Sequence, residues 1–373
     1  MDLFDVIIIG GGLAGLTASI DLSEKGHKVL LIEKDKYPHH KVCGEYISNE
    51  IIPYLNKLGI SLAKSIPIDT LQISNSQGKA LETKLPLGGF GYSRYAFDYL
   101  LYKQALEVGV KVIRGLAQKI TFVNTYFEVV LMDDERVNSR VVIGAYGKRS
   151  ALDKEMNRAF AWQKAPWLGV KAHYHFPNFR DNVVGIHSFK GGYGGLSKVE
   201  TGAVNFCYLT SYKSFQAYKS IAKFNDKVVS QNPILKEFLA NAEPLMQKPL
   251  SIAQISFSRK KAVENHILMC GDTAGLIHPL CGNGMAMAIH SAQIVSKKID
   301  RFLIDASFSR IRMEKEYQLE WNRMFKNRLR TGRILQSIFV KPFVSNLVLE
   351  IGKSSPKMVS RMIKKTHGKP IEI

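Results

Sequence analysis

The stretch that decides the fold runs Asp5-Val6-Ile7-Ile8-Ile9-Gly10-Gly11-Gly12-Leu13-Ala14-Gly15. Four consecutive apolar residues, bounded by Asp5 and by glycine, read as a buried strand. The glycines take the first, third and sixth places of a Gly-x-Gly-x-x-Gly turn. A helical stretch to Lys25, a stop at Gly26 and a second strand from Lys28 to Glu33 complete a βαβ unit. Gly10 permits the tight turn, Gly12 lets the backbone approach a pyrophosphate, and Gly15 lets helix and strand pack closely. Leu13 and Ala14 open a helix whose free N–H groups face phosphate charge. Glu33 accepts hydrogen bonds from ribose hydroxyls and repels a 2′-phosphate, which favours FAD or NAD over NADP. Lys34 beside it, and Ala117 further along, are assigned to the same dinucleotide site.

A second motif lies near residue 270. His266-Ile267-Leu268-Met269-Cys270 reads as a buried strand ending in Gly271-Asp272, and the turn Pro279-Leu280-Cys281-Gly282-Asn283-Gly284 leads into a long helix. Apolar residues at Met285, Ala288, Ile289, Ala292, Val295, Ile299 and Phe302 recur at three- and four-residue spacing, so one face of that helix packs on the sheet.

These residues resemble the flavoprotein group that includes geranylgeranyl reductases, hydroxylases of the p-hydroxybenzoate type and flavin-dependent halogenases. The resemblance spans about the first 300 residues and implies FAD. It implies that Asp272 of the Gly271-Asp272 pair bonds the ribityl chain, and that the turn at Gly282, Asn283 and Gly284 aims a helix N-terminus at the isoalloxazine. A helix N-terminus suits an anionic reduced flavin. Two more segments match in order. Lys41-Val42-Cys43-Gly44 resembles the reductase signature, in which Lys41 adjoins the cofactor and the cysteine lies beside the flavin. Arg94-Tyr95-Ala96-Phe97-Asp98 resembles the family helix whose arginine contacts FAD. The resemblance makes Cys43 the expected catalytic side chain, a thiol that donates a proton after hydride transfer.

The pattern departs at two places. Gly144-Ala145-Tyr146-Gly147 puts Tyr146 where the group carries the aspartate of Gly-Ala-Asp-Gly, a motif linked with NADPH contacts, so an external electron donor is expected. Gly191-Gly192-Tyr193-Gly194-Gly195-Leu196-Ser197 lacks the Tyr-x-Trp-x-Phe-Pro of geranylgeranyl reductases, and no tryptophan has halogenase spacing.

The expected fold is α/β: a doubly wound, Rossmann-type FAD-binding domain (1–60, 90–158 and 259–304) interleaved with an antiparallel-sheet substrate domain (61–89 and 159–258). Pieces such as Leu168–His175 and Gly202–Leu209 alternate apolar and polar residues, as in a sheet with one covered face. A basic helical region, 305–373, follows as a C-terminal cap.

A chain of 373 residues, 46% of them hydrophobic, supports a sizeable core. Its four cysteines have neither metal-ligand spacing nor the density of a secreted scaffold, so no metal and a reduced, cytoplasmic setting are expected. No apolar run reaches the roughly 20 residues of a membrane span. The net charge of +20 is concentrated at the end, where residues 305–373 hold fifteen Lys and Arg against six Asp and Glu. No nucleic-acid module accompanies that charge, and no nucleic-acid partner is expected. Ile334, Leu335, Ile338, Phe339, Phe343, Leu347, Val348 and Leu349, with Arg328, Arg330, Arg333 and Lys341, form either a packed cap with a basic outer face or a peripheral membrane contact.

The leading functional expectation is an FAD-dependent oxidoreductase that reduces carbon–carbon double bonds of a small hydrophobic, isoprenoid- or lipid-like substrate. The alternatives are an FAD-dependent monooxygenase of an aromatic or apolar molecule, and a flavoprotein with a non-redox role.

Overall fold

The structure is a computed structural model that describes residues 3–339, 350 and 355–373. The first strand, Leu3–Ile9, pairs in parallel with Val29–Glu33 on one side and Arg136–Gly144 on the other. Lys111–Arg114 and Ile267–Met269 extend the sheet at either end, again in parallel. Val6, Ile7 and Ile8 are wholly buried, as their unbroken apolar run requires. Helix Leu13–Glu24 packs between Arg94–Glu107 and Gly284–Ile304. The strands Ala117–Val123 and Tyr126–Leu131 join Arg136–Gly144 in an antiparallel meander.

A second sheet of nine strands stands beside the first. Its centre runs Trp167–His175, Val204–Ser211, Gly192–Lys198, Val183–Phe189, with antiparallel neighbours. Val183–Phe189 then pairs in parallel with Ile66–Ser74, which forms a hairpin with Ala80–Gly91. The short strand Tyr46–Ser48 pairs with Gly89–Gly91, so the chain has already crossed to the second sheet within residues 1–60.

The expectation of a single covered face on this sheet is corrected by the structure. Leu168, Val170, Ala172 and Tyr174 face a core completed by Phe224, Leu235 and Phe238 of helices Ile221–Lys227 and Pro233–Asn241. The polar positions between them are not solvated. Lys171 is 0% and His173 7% exposed, because residues 42–45 lie across them. Strand alternation reports two faces and cannot say what covers the polar one.

Beyond the long helix, Arg310–Phe339 and Pro356–Thr366 supply the expected helical cap. Met313, Tyr317, Trp321 and Phe325, spaced three or four apart, are buried against the parallel-sheet domain. Tyr317 donates to Met269 O, and Gln318 accepts from the N–H groups of Ala262 and Val263. The Arg328 guanidinium lies 3.3 Å from the buried Glu50 carboxylate, and Ile371 N–H donates to Glu50 O. The cap is therefore packed as far as residue 336. Lys341, Phe343, Leu347, Val348 and Leu349, and the side chains of Ile338 and Phe339, lie outside the described residues. Among the described residues no helix is long and apolar enough to cross a membrane.

The Glu50–Arg328 pair gives a pH-dependent prediction. Burial pushes the Glu50 carboxyl above its ordinary value, and Arg328 pulls it back. A carboxyl raised on folding costs stability as pH climbs from the unfolded toward the folded value, because the unfolded chain gives up its proton first. Arg328→Met widens that window. The variant should lose about 3 kcal/mol near pH 8 and much less near pH 5, and Glu50→Gln on top of it should recover most of the loss. Urea unfolding at the two pH values reads this, and an equal deficit at both would show that the pair is not what Arg328 contributes.

Candidate functional site

The glycine turn is built by close contacts that only glycine allows. Gly10 has φ +105°, and a Cβ there would lie 2.4 Å from Ala145 O; a Cβ on Gly15 would lie 1.9 Å from Gly10 O. These two glycines lock helix to strand. Gly12 differs: the nearest atoms to a Cβ are Arg94 Nη2 at 3.6 Å and Lys41 Nζ at 3.9 Å. Its exposed backbone faces two cations. Helix Leu13–Glu24 has no side-chain cap and no acid in its first turn, leaving the N–H groups around Leu13 and Ala14 for an anion.

The cations come from separate elements. Arg94 opens helix Arg94–Glu107, capped by Ser93 Oγ, which accepts from Ala96 N–H. Its guanidinium grips the buried Asp98 through Nε at 2.6 Å and Nη2 at 2.7 Å. Lys41 Nζ approaches the same carboxylate at 3.1 Å. Burial would push Asp98 up, but Arg94 and Lys41 reverse this and hold it below the usual carboxylate range. Two cations on one buried carboxylate leave a net positive charge beside Gly12.

Glu33 ends its strand as expected, and part of its acceptor capacity is used internally. Oε2 accepts from Gly11 N–H at 2.6 Å and Oε1 from Asp35 N–H at 3.0 Å. Tyr37 donates to Gly11 O and stacks on Tyr102. Ala117 is buried at the start of a strand two residues after Gly115, whose N–H donates to Glu33 O. Lys34 is exposed, with Nζ 3.8 Å from Asp35. Ala117 thus stands near the Glu33 end of the site, while Lys34 turns to solvent.

Residues 42–45 are pinned one after another by side chains from elsewhere. Val42 O accepts from Lys148 Nζ at 3.2 Å, Cys43 O from Asn205 Nδ2 at 3.1 Å, and Gly44 O from Ser197 Oγ at 3.0 Å. The Glu45 carboxylate, wholly buried, binds Lys171 Nζ at 2.5 Å and His173 Nε2 at 2.6 Å, and accepts from Arg94 N–H at 2.6 Å. Burial pushes that carboxyl up; His173 and Lys171 more than reverse it and keep it ionised. Glu45 holds φ +55°, which the cluster compensates. Cys43 is half-buried in this clamp. Cys207, on the same sheet face as Asn205 and Lys171, is pushed up to about 12 by burial first and by Cys43 next. Cys281 instead sits by the cap, where a Cβ on Gly332 would be 3.1 Å from its Sγ.

At the other end, Gly271 turns at φ +60° against Ala14, and Asp272 follows half-exposed. Its carboxylate has no hydrogen-bond partner among the described residues. Asp272 lies in a narrow crevice with Gly284 and Met287 near Trp321 of the cap. Gly282 turns at φ +61°, and helix Gly284–Ile304 begins with no side-chain cap and no acid in its first turn. The Asn283 side chain is turned away: Nδ2 donates to Thr366 O, tying down the C-terminal segment. Buried cations hold the Asp272 turn. Lys260 Nζ donates to Lys148 O and Asp272 O, and Arg158 donates to Thr273 O while pairing with Asp153 and Glu264. Tyr146 OH accepts from Arg158 at 3.4 Å.

An open backbone face ringed by cations, two uncapped helix N-termini and a carboxylate free for hydroxyls fit the pyrophosphate, flavin and ribityl parts of FAD. The sequence had pointed to the glycines, Lys41, Arg94 and Asp272. It missed Lys171, His173 and Asn205, whose only signal was polar residues at alternating strand positions, and Lys148 and Lys260, which lie in loops and carried no signal.

The two glycine types give a contrast. Gly12→Ala adds a methyl group where nothing but Arg94 and Lys41 is near, so it should fold normally and lose about tenfold or more in FAD affinity. Gly15→Ala drives a methyl into Gly10 O and should lower the melting temperature of the apoprotein itself. FAD titration with parallel melting curves separates them, and a Gly12→Ala protein with unchanged affinity would remove the pyrophosphate from this face.

Comparison with known proteins agrees with this geometry. Residues 4–312 match the FAD binding domain family. A digeranylgeranylglycerophospholipid reductase of Methanococcus aeolicus is 25% identical over 356 residues, 91% of this chain and 88% of the relative. Among solved structures, a flavin-dependent brominase superposes with TM-score 0.78 at 17% identity, covering 98% of this chain and 94% of its own. A geranylgeranyl bacteriochlorophyll reductase-like protein of Thermoplasma acidophilum superposes with TM-score 0.76 at 19% identity, covering 94% and 91%. The chain belongs to the FAD binding domain family and is an FAD-dependent oxidoreductase.

Proposed function

We propose that this oxidoreductase reduces carbon–carbon double bonds of an isoprenoid-like lipid, with FAD supplying the hydride when bound. The observation that carries the reading is an apolar cluster beside the Cys43 clamp. Tyr193 and Leu209 of the second sheet, Leu276 and Leu280 of the turn before the long helix, and Trp167, Phe257 and Leu335 pack together there. An apolar face of this kind suits a hydrocarbon chain and the exclusion of water from a reacting carbon. The name of the Methanococcus relative points the same way.

The proton donor in this reading is Cys43, which packs against the parallel-sheet core next to that cluster. His278 is another titratable candidate, but burial pushes it down to about 3, its Nδ1 pairs with Tyr193 OH at 3.1 Å and its ring packs on Phe257. It is a neutral wall. Tyr146 occupies the place of the family aspartate, bound to Arg158 and facing Met269, which supports an electron donor other than a pyridine nucleotide. The exposed Ile311, Leu319 and Ile334 of the cap, with exposed Arg312 and Arg323 beside them, suit contact with a lipid surface.

The test is anaerobic photoreduction of the holoenzyme followed by a geranylgeranyl ether lipid in detergent. The flavin should reoxidise, and the lipid should gain two hydrogen atoms per reduced bond by mass spectrometry. Cys43→Ser should keep FAD and slow that reoxidation by about a hundredfold or more. NADH and NADPH should bleach the flavin slowly. A lipid that leaves reduced flavin untouched while air yields a hydroxylated product would replace this reading with a monooxygenase.

A further inference from the structure

A wholly buried carboxylate, a wholly buried ammonium and a nearly buried imidazole share one spot beneath the Cys43 clamp. Burying ions costs several kcal/mol each, and apolar replacements of such clusters are often neutral or stabilising. An uncharged glutamine at position 45 would satisfy the Arg94 N–H equally well. Holding three titratable groups together here suits a chemical use beside the structural one.

The cluster has a solvent side. His173 meets the edge of His40 with ring centroids 5.3 Å apart, and His40 lies 4.6 Å from Tyr95, which is 42% exposed. His40 Nδ1 is buried with no partner among the described residues. Burial first, then Lys171 and His173, keeps His40 below its ordinary value, so it is neutral at working pH and able to accept a proton. The cluster also has a pocket side. Lys171 lies opposite Cys207 on the strand whose Asn205 holds Cys43 O. The other charged groups facing it are Arg94, Lys148 and Glu200, the last fixed by Ser93.

We infer that His40, His173, Glu45 and Lys171 form a proton path from solvent to the pocket wall that carries Cys43, an inference resting on the reduction chemistry proposed above. The balance is simple. A two-electron reduction of a double bond consumes one proton beside the hydride. His40 takes a proton from water and passes it to His173, and Glu45 relays it to Lys171. Lys171 returns it to the thiolate left when Cys43 Sγ gives its proton to carbon, or delivers it to the pocket when the flavin alone is reduced and takes up a proton. Nothing in the path is oxidised. His40, His173 and Lys171 are positioning and resupply groups that act through Cys43.

His40→Phe keeps the stack on Tyr95 and removes no hydrogen bond of the cluster, so it tests the path without loosening the fold. His173→Gln keeps an amide donor for Glu45 and cannot carry a proton. Each holoenzyme is photoreduced without lipid in weakly buffered solution containing a pH-indicator dye, because reduction of bound FAD itself takes up protons. Both variants should retain FAD and their melting temperature while proton uptake slows about tenfold or more, and added imidazole should restore the rate. Uptake as fast as in the parent protein overturns the path. Loss of FAD in both variants, without rescue, also overturns it and makes the cluster a structural tie. If uptake slows as expected but no lipid reoxidises the parent flavin, the path stands and the reductase reading falls.

Discussion

The joint between the two sheets depends on one carboxylate taken out of water. Glu45 reaches the second sheet through Lys171 and His173 and the Arg94–Glu107 helix through the Arg94 N–H. It therefore fixes three things at once: where the two sheets meet, where the Cys43 loop lies, and where the arginine facing Gly12 begins. An ion with no solvent must be given its full set of partners, and removing any one leaves an uncompensated charge. That intolerance makes the joint rigid. A loop of four residues whose carbonyls met only water would wander. Here the carbonyls of Val42, Cys43 and Gly44 are met by the side chains of Lys148, Asn205 and Ser197 and that of Glu45 by the Tyr92 N–H, so Cys43 is placed by several separate segments at once.

How far this was legible in the sequence follows from the range of each signal. The Gly10 to Gly15 turn, the strand before it and Glu33 are local, and local sterics dictate them: Gly10 and Gly15 stand where any Cβ would strike backbone. The long helix and the buried Ile267–Met269 strand were readable from periodicity. The order of the second sheet was not, because a parallel pairing between residues 66–74 and 183–189 joins segments over a hundred residues apart. Lys171 and His173 read as the solvated side of an alternating strand. The side that covers them comes from residues 42–45, and no window along strand 167–175 contains that fact. The Asn283 side chain shows the opposite limit. It lies in a turn that suggests cofactor contact, yet its amide is claimed by Thr366, eighty-three residues away.

The substitution at Tyr146 has a structural counterpart. A phenol brings bulk and no charge, and burial first, with Asp153 next, pushes it well above its ordinary value, so it stays neutral. Nearby, Arg158 pairs with Asp153 and Glu264 and donates to Thr273 O, and Lys260 donates to Asp272 O. The backbone of the Gly271-Asp272-Thr273 turn is thus held from behind by cations. The Asp272 side chain carries none of that work and stays available to the cofactor.

The same separation of backbone from side chain explains how the pyrophosphate face can change its partners without disturbing Cys43. Glu45 takes the Arg94 N–H, while Asp98 takes the guanidinium. A pyrophosphate arriving at Gly12 competes with Asp98 for the guanidinium and for Lys41. It does not compete for the N–H, which is anchored on the far side. Asp98 keeps the two cations from repelling each other; a bound anion would share them, and the helix start that Glu45 fixes would not need to move. Cofactor affinity and thiol placement are therefore built on different atoms of the same residue, and a change at Asp98 acts on the first through charge while leaving the second to Glu45.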